Sequence, residues 1–300
     1  MNMMSQIRRD RYLYLLALPG ILFFLLFKYL PMFGIVIAFQ NYSPFLGFFQ
    51  SEWVGFDHFI RLFNGDQFWI MFRNTLAISL LNLIFFFPMP IILSLMLNEL
   101  RSNKYKRIIQ TIIYLPHFLS WVIIVGLTFL MISVSQGVIN EIIEMMGYEK
   151  YPFLNDPKLF WIILTVQTMW KDAGWGTIIF LAAMASVDPQ QYEAAKIDGA
   201  NRLRQMWHVT LPAIRNVITI LLILQLGNML DIGFEQVFLM YNGAVSGVAE
   251  IFDTYVYRTG IQQGQFSYST AVGIFKSTVG LVLVVGANYL SKKLGDEGVY

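Results

Sequence analysis

The sequence predicts an all-α polytopic membrane protein, one domain over residues 1–300 with six transmembrane helices and both termini in the cytoplasm. Three observations predict it. Hydrophobic residues make up 56% of the chain and charged residues only 13%, about half the charged fraction of a soluble domain and too little to cover a water-facing surface. Six stretches are long and apolar enough to cross about 30 Å of hydrocarbon at about 1.5 Å per residue. The basic residues concentrate on every second connection, which by the positive-inside rule assigns that side to the cytoplasm.

The first span covers residues 13–37 and follows Arg8, Arg9 and Arg11. A basic start before an apolar run resembles a signal peptide. The run lacks a small-residue cleavage site, however, and continues through IVIAF with five more spans behind it, so it reads as a retained helix. The second span, 72–97, ends at a turn filled by Arg101, Lys104, Lys106 and Arg107; the third and fourth cover 109–132 and 159–183. The fifth, 214–234, is interrupted by Gln225, Asn228 and Asp231 and reads as a span or a partly re-entrant helix; only an even number of crossings reconciles the charges on both sides, which favours the span. The sixth, 268–290, is followed by Lys292 and Lys293. With Lys196, Arg202, Arg204 and Arg215 between the fourth and fifth spans, thirteen basic residues lie on the cytoplasmic side, against Arg61, Arg73, Lys150, Lys158 and Arg258 outside.

The outer segments 38–71, 133–158 and 235–267 are too short for an independent extracellular domain. Asn140–Phe153 has the pattern of a short interfacial helix. Trp53, Trp69, Tyr148, Tyr151, Trp161 and Tyr268 sit near the outer ends of the spans, where aromatic rings anchor a protein at the interface.

Composition also excludes chemistry. With no cysteine there is neither a disulfide nor a cysteine-ligated zinc or iron–sulfur centre. A net charge of +2 gives no basis for a nucleic-acid partner. His58, His117 and His208 have no metal-ligand spacing and read as structural or interfacial. No GxxxxGK[ST] occurs, and GIFKST at 273–278 lacks the glycine cradle that offers backbone N–H groups to phosphate. The chain therefore reads as no enzyme and as holding no cofactor.

The most informative stretch is the cytoplasmic loop 186–213, SVDPQQYEAAKIDGANRLRQMWHVTLPA. Asp188 can cap a helix that opens on Pro189, where the missing N–H is harmless. Gly199 supplies the break before a second helix over 202–209, and Leu211-Pro212 marks re-entry into the membrane. Small side chains at Ala194, Ala195 and Ala200 permit close approach of another backbone, beside polar Glu193, Lys196 and Asp198. Shape alone allows a rigid knob that transmits displacement to two spans, or an ordinary loop under the bundle.

Glu193-Ala194-Ala195, Asp198-Gly199-Ala200 and Leu211-Pro212 stand in the spacing EAAxxDGAx(10)LP. This resembles the EAA loop of the permease subunits of binding-protein-dependent ABC importers. The resemblance runs through RYLYLLALPGILFFLLFKYLPM, WVGFDHFIRLF, FRNTL and IIYLPHFLSWVII, and is similar to the MalF-like carbohydrate branch, in particular Gram-positive permeases for complex oligosaccharides. The resemblance implies a bacterial cell-membrane permease for an oligosaccharide delivered by an extracellular solute-binding lipoprotein. It implies a second homologous permease subunit and two cytoplasmic ATPase subunits that bind ATP and Mg. It also implies ATPase coupling through Glu193, Ala194, Ala195, Asp198, Gly199 and Ala200. The large inserted outer domain of some relatives is absent.

An ionised side chain facing lipid is costly, so intramembrane polar residues should face a cavity, a partner or one another. Trp170, Lys171, Asp172, Trp175, Asn228, Asp231 and Lys276 form the candidate substrate path, and the two lysines would suit an acidic sugar. The same residues would equally serve to stitch helices together. Gly174, Gly176 and Gly227 indicate close helix packing. Two other classes stand beside the importer: a permease for a non-sugar solute, and a membrane enzyme acting on lipid-linked sugars. The enzyme would call for acidic or histidine residues converging at one membrane face, a pattern the sequence lacks. A scaffold without transport is the third.

Overall fold

A computed structural model of the chain describes residues 11–293, which form two compact units: residues 11–64 with 256–274, and residues 65–255 with 275–293. Arg8, Arg9 and both termini lie outside the described residues.

In the first unit, helix α1 (Arg11–Phe39) is one of three helices long and apolar enough to cross a membrane. A π-turn at Leu25–Tyr29 precedes Pro31, whose missing N–H and ring disturb the hydrogen-bond ladder. The chain then makes a minimal antiparallel hairpin, β1 (Gln40–Asn41) with β2 (Glu52–Trp53), in which Gln40 lies opposite Trp53. Buried Gln40 holds its turn by donating from Nε2 to the Phe48 carbonyl at 2.9 Å, and His58 Nε2 sits 3.0 Å from the Gln40 carbonyl. From helix α2 (Asp57–Asn64), Arg61 bonds Gln265 at 3.0 Å and lies 4.4 Å over the Tyr268 ring.

The second unit opens with α3 (Asp66–Asn98), long and apolar enough to cross, with a π-turn at Asn82–Phe86 just before Pro88 and Pro90. Next come α4 (Asn103–Phe118) and α5 (Trp121–Ile132), which meet at 102°. The uninterrupted third span expected over 109–132 is thus broken, because Pro116 ends the regular ladder and Ser120, in extended backbone, starts a new helix by capping Ile123. After α6 (Val138–Met145) comes α7 (Pro157–Ala185), 29 residues or about 44 Å of helix. The helices of loop 186–213, α8 (Pro189–Ile197) and α9 (Arg202–Ala213), follow, then α10 (Arg215–Gly227), bent 62° from α9. Helix α10 stops at Gly227, not at 234 as the sequence suggests; residues 228–233 are non-helical, and α11 (Phe234–Met240) begins after Gly233, whose φ is +97°. The final helix α12 (Phe266–Lys293) is the third long apolar one. Counting each bent pair as one span gives up to five among the described residues.

Helix α7 is the spine of this unit. At one end Phe160 and Leu164 join Ile78, Val125, Val237, Met240, Val245 and Ile251 in a buried apolar core; at the other, Phe180 and Met184 close over Ile214. Between the two cores, α7 packs against Pro88–Asn98 of α3 and against α4. Glycine makes the contact possible: a Cβ on Gly174 would lie 1.9 Å from the Ile113 carbonyl oxygen, and one on Gly176 would lie 2.8 Å from Pro90 Cγ. The turn around α6 is held by fully buried Asn140, which donates to the carbonyls of Ile132, Ser133 and Tyr151 and accepts from Tyr151 N–H. The short helix expected within Asn140–Phe153 exists, beginning at Val138.

Candidate functional site

Two regions carry the candidate residues: the loop 186–213 and the polar interior of the second unit.

In the loop, Asp188 accepts from Gln190 N–H at 2.9 Å and Pro189 takes the first helical position, so α8 starts with its orphan donors relieved. Its far end closes as a Schellman motif. Gly199, at φ +76°, donates to the Lys196 carbonyl at 3.0 Å, and Ala200 donates to the Ala195 carbonyl at 2.9 Å. Asn201 then caps α9 by accepting from Arg204 N–H at 2.9 Å. Tyr192 ties α8 to Thr210 of α9 at 3.0 Å, and Arg202 reaches Glu99 at 3.4 Å. Glu193, Ala194, Asp198 and Gly199 are exposed, Ala195 and Ala200 are half-buried, and Ile197 is 87% exposed at the tip.

The interior candidates fall into three groups. Lys171, Asp172 and Trp175 converge on the α4–α5 break. Lys171 Nζ donates to the carbonyls of His117 at 2.7 Å and Leu119 at 2.6 Å, oxygens that the broken helix leaves without partners, and lies 5.5 Å from the centre of the Trp121 ring. His117 Nδ1 pairs with Asp172 at 2.8 Å, and its ring stacks on Trp175 at 4.4 Å, nearly parallel. His117 thus joins α4 to α7 through Asp172 and Trp175, and no cluster of metal-ligating side chains occurs among the described residues.

The second group surrounds a polar cavity of about 120 Å³ lined by Ser79, Asn82, Thr168, Gln225, Asn228 and Asp231 together with apolar neighbours. Asn228 and Asp231 belong to the non-helical segment after Gly227 and stand exposed at its mouth, while Ser79 is buried and donates to the Met229 carbonyl. Asn82 Oδ1 is buried and accepts no hydrogen bond from the described residues. The third group is Lys276, which pairs with Asp253 of the short helix Phe252–Val256, both side chains largely buried. Trp170 joins none of these groups; it is half-exposed on apolar grooves beside Val166, Met169 and Leu127.

Sequence reasoning missed Thr168, Ser79, His117 and Asp253 as members of these groups. It also missed the buried amides Gln236 and Gln167 behind the cavity, where Gln236 Nε2 donates to the Leu164 carbonyl at 2.8 Å and to Gln167 Oε1 at 2.9 Å. Their one readable signal was two glutamines within otherwise apolar runs. Both interior lysines are already engaged by protein acceptors, so the charge argument for an acidic sugar loses its two cations.

Residues 86–296 match the family described as "Binding-protein-dependent transport system inner membrane component". The chain is 57% identical over 299 residues to the Bacillus subtilis polygalacturonan/rhamnogalacturonan transport system permease protein YteP, covering 100% of this chain and 93% of that one. It is 56% identical to Protein LplB of the same organism, covering 99% of this chain and 93% of that one. A crystal structure of a bacterial alginate ABC transporter, in complex with an alginate pentasaccharide-bound periplasmic protein, contains a chain that superposes with a TM-score of 0.91 at 41% identity, covering 100% of both chains.

Proposed function

Because the chain belongs to the family of binding-protein-dependent transport system inner membrane components, we propose that it forms half of the pathway by which an acidic oligosaccharide enters the cell. The chain is the permease subunit of an ABC importer for an oligosaccharide delivered by an extracellular binding protein, a transport component that catalyses no covalent change itself. The single observation that carries the uronide reading is the 57% identity, along the whole chain, to a permease named for polygalacturonan and rhamnogalacturonan. The likeness to the alginate transporter points the same way.

In this reading the whole chain acts as one transmembrane domain with six crossings, α7 being the sixth besides the three long helices and the two bent pairs. Both termini lie in the cytoplasm, as the charge asymmetry requires. Loop 186–213 is the coupling element. Helix α8, capped at both ends and tipped by Ile197, seats in one of two partner ATPase subunits, with Glu193, Ala194, Ala195, Asp198, Gly199 and Ala200 at the contact. Those subunits bind ATP and Mg, and a second homologous permease completes the path. Nucleotide-driven closure moves α8 as a body, and the displacement passes through α9 into α10 and the cavity beyond Gly227, so that two states of the path are populated in turn.

Within the path, Asn228 and Asp231 at the cavity mouth are the contacts for sugar. Lys171, Asp172 and Trp175 hold the α4–α5 break open beside it, and Lys276 fixes the outer helix Phe252–Val256.

The test is uptake by the reconstituted permease pair with its ATPases and binding protein, supplied with oligogalacturonides or with neutral oligosaccharides of equal length. ATP-dependent accumulation of the uronides is the expected result. Accumulation of only the neutral sugars would overturn the acidic substrate class, and accumulation of neither would overturn the sugar.

A further inference from the structure

The connection between α1 and α3, two helices each long and apolar enough to cross a membrane, ends in an apolar tip that its own unit leaves uncovered. No charged residue stands between Lys28 and Glu52. At the far end of the β1–β2 hairpin, Phe45 and Phe49 are 98% and 102% exposed, as open as in an extended chain, and Leu46 between them is half-exposed. Phe48 turns the other way, its ring 5.4 Å from that of Tyr42. The base is pinned. Tyr42 N–H donates to Ser267 Oγ at 2.9 Å, and the Phe39 ring packs against Trp53, Phe56 and Phe59 at 5.4–6.1 Å.

A loop tip in water ordinarily leaves its backbone groups to the solvent. This one closes many of them on itself. The Ser43 carbonyl accepts from the amides of Leu46 at 3.0 Å and Gly47 at 2.9 Å. The Ser51 hydroxyl accepts from Ser43 N–H at 3.1 Å and donates to the Gly47 carbonyl at 2.6 Å, while Gln40 Nε2 donates to the Phe48 carbonyl at 2.9 Å. Pro44 has no N–H to leave bare, and Gly47, at φ +68°, lets the chain reverse. These polar atoms point into the hairpin and the two rings point out of it, the arrangement that a low-dielectric surrounding requires. A second apolar face lies on α2 of the same unit. Phe56, just before the helix, and Ile60, four residues on, are exposed together, while Leu62 is buried and Arg61 is held by Gln265.

We propose that the hairpin tip is an interfacial anchor whose ligand is the phospholipid bilayer: Phe45, Leu46 and Phe49 enter the boundary between headgroups and acyl chains, with Phe56 and Ile60 lying along it. Two grounds favour lipid over a protein partner. A protein is recognised through hydrogen bonds and charges around an apolar centre, whereas residues 29–51 carry no charge and the turn's hydrogen bonds close inward. The tip also follows directly on a spanning helix. The 29 residues of α1 extend about 44 Å, against about 30 Å of hydrocarbon, so its end stands in the layer where aromatic rings settle. The anchor fixes the depth of α1, a helix of which only Ala38 is buried in this chain. It acts whichever sugar is carried.

The chain has no cysteine, so Phe45→Cys and Phe49→Cys each give this subunit a single attachment point for a nitroxide label. The unsubstituted complex, carried through the same labelling, is the blank for thiols of the other subunits. The complete transporter is placed in nanodiscs of phosphatidylethanolamine and phosphatidylglycerol, without sugar or nucleotide. The readout is collision of the label with oxygen, which concentrates in hydrocarbon, and with a water-soluble nickel chelate. At both positions the oxygen-to-nickel ratio should be about threefold or more above that of the same label at exposed Asp57, and should stay there when the binding protein is added. A ratio equal to that at Asp57 would overturn the anchor. High nickel access that falls on adding the binding protein would make the tip a dock for that protein, and low access to both reagents from the start would make it a contact with the second permease. Phe45→Asp beside Phe49→Cys should return the ratio to the Asp57 level; a ratio that stays high would show that the label enters lipid by itself and would overturn the role of Phe45. With neither sugar nor nucleotide present, failure here leaves the transport reading untouched.

Discussion

Loop 186–213 and the polar interior of the second unit are both built from capped, broken helices, yet most of their bonds differ in reach. In the loop, the bonds that end α8 and begin α9 join residues no more than five apart, one side-chain bond across 18 residues, Tyr192 to Thr210, sets the two helices together, and a partly exposed pair, Arg202 with Glu99, ties them to the end of α3. Behind the cavity, Gln167 reaches Thr128 across 39 positions and Gln236 reaches Leu164 across 72. The loop is thus a self-contained piece held to the bundle by few contacts, able to move without being remade. The interior is a lock in which three helices depend on one another, so its geometry is shared by every element that touches it. The proposed roles need both: a lever that stays rigid while displaced, and a path whose shape follows from how the helices are set.

The largest effect should come from breaking the lock where it is tightest. Gly174→Leu places a side chain where even a Cβ would be 1.9 Å from the Ile113 carbonyl oxygen. Backbone cannot yield there without parting α7 from α4, so the variant should lose about 3 kcal/mol or more and fail to assemble. Size-exclusion profiles of the detergent-extracted complex after stepwise heating check it; a wild-type melting profile would mean that α7 and α4 are free to separate.

A smaller loss is expected from Gln236→Leu. The substitution keeps the volume but leaves Gln167 Oε1 without its Gln236 donor in a buried place, a cost of about 1–3 kcal/mol, while the Leu164 carbonyl keeps the Thr168 hydroxyl. The same heating series should show a lowered transition with the complex still assembled. Gln236→Glu should not rescue it, because a carboxylate there faces two acceptors. A melting profile equal to wild type in both variants would show that the buried amides contribute no net stability.

This difference in reach also decides what could be read from sequence. Asp188, Pro189 and Gly199 announce the ends of α8 because capping is chemistry between near neighbours, and the motif EAAxxDGAx(10)LP stands on that frame. The apolar runs likewise announce long helices. Two of them are bent, and one of these, the third span expected from sequence, bends at Pro116, a residue visible in sequence whose angle of 102° follows from packing that is not. Lys171 and Asp172 were visible as charges in an apolar run. Their partners were not, since the oxygens that Lys171 binds belong to His117 and Leu119, more than fifty positions away. Thr168 and Ser79 gave no signal at all, for an intramembrane hydroxyl normally bonds its own helix and becomes informative only when a cavity opens beside it.

The smallest structural effect and the sharpest functional one should coincide in the loop. Gly199 has no atom within 4 Å of an added Cβ, so Gly199→Ala meets no steric obstacle, in contrast with Gly174. What it meets is its backbone: at φ +76° an L side chain costs about 1–2 kcal/mol. That cost is local, since the residue ends an exposed helix and supports no core. It can be relieved by unwinding the last turn of α8, which surrenders the bonds from Gly199 to Lys196 and from Ala200 to Ala195. The heating profile should therefore be unchanged within measurement. The fraction of ATP turnover converted into uptake should fall several-fold as a frayed lever transmits less displacement. Gly199→Asn, which tolerates this region of backbone better, should restore much of the coupling. If Gly199→Ala lowers the melting transition as Gln236→Leu does, the loop is no separate lever and belongs to the same lock as the interior.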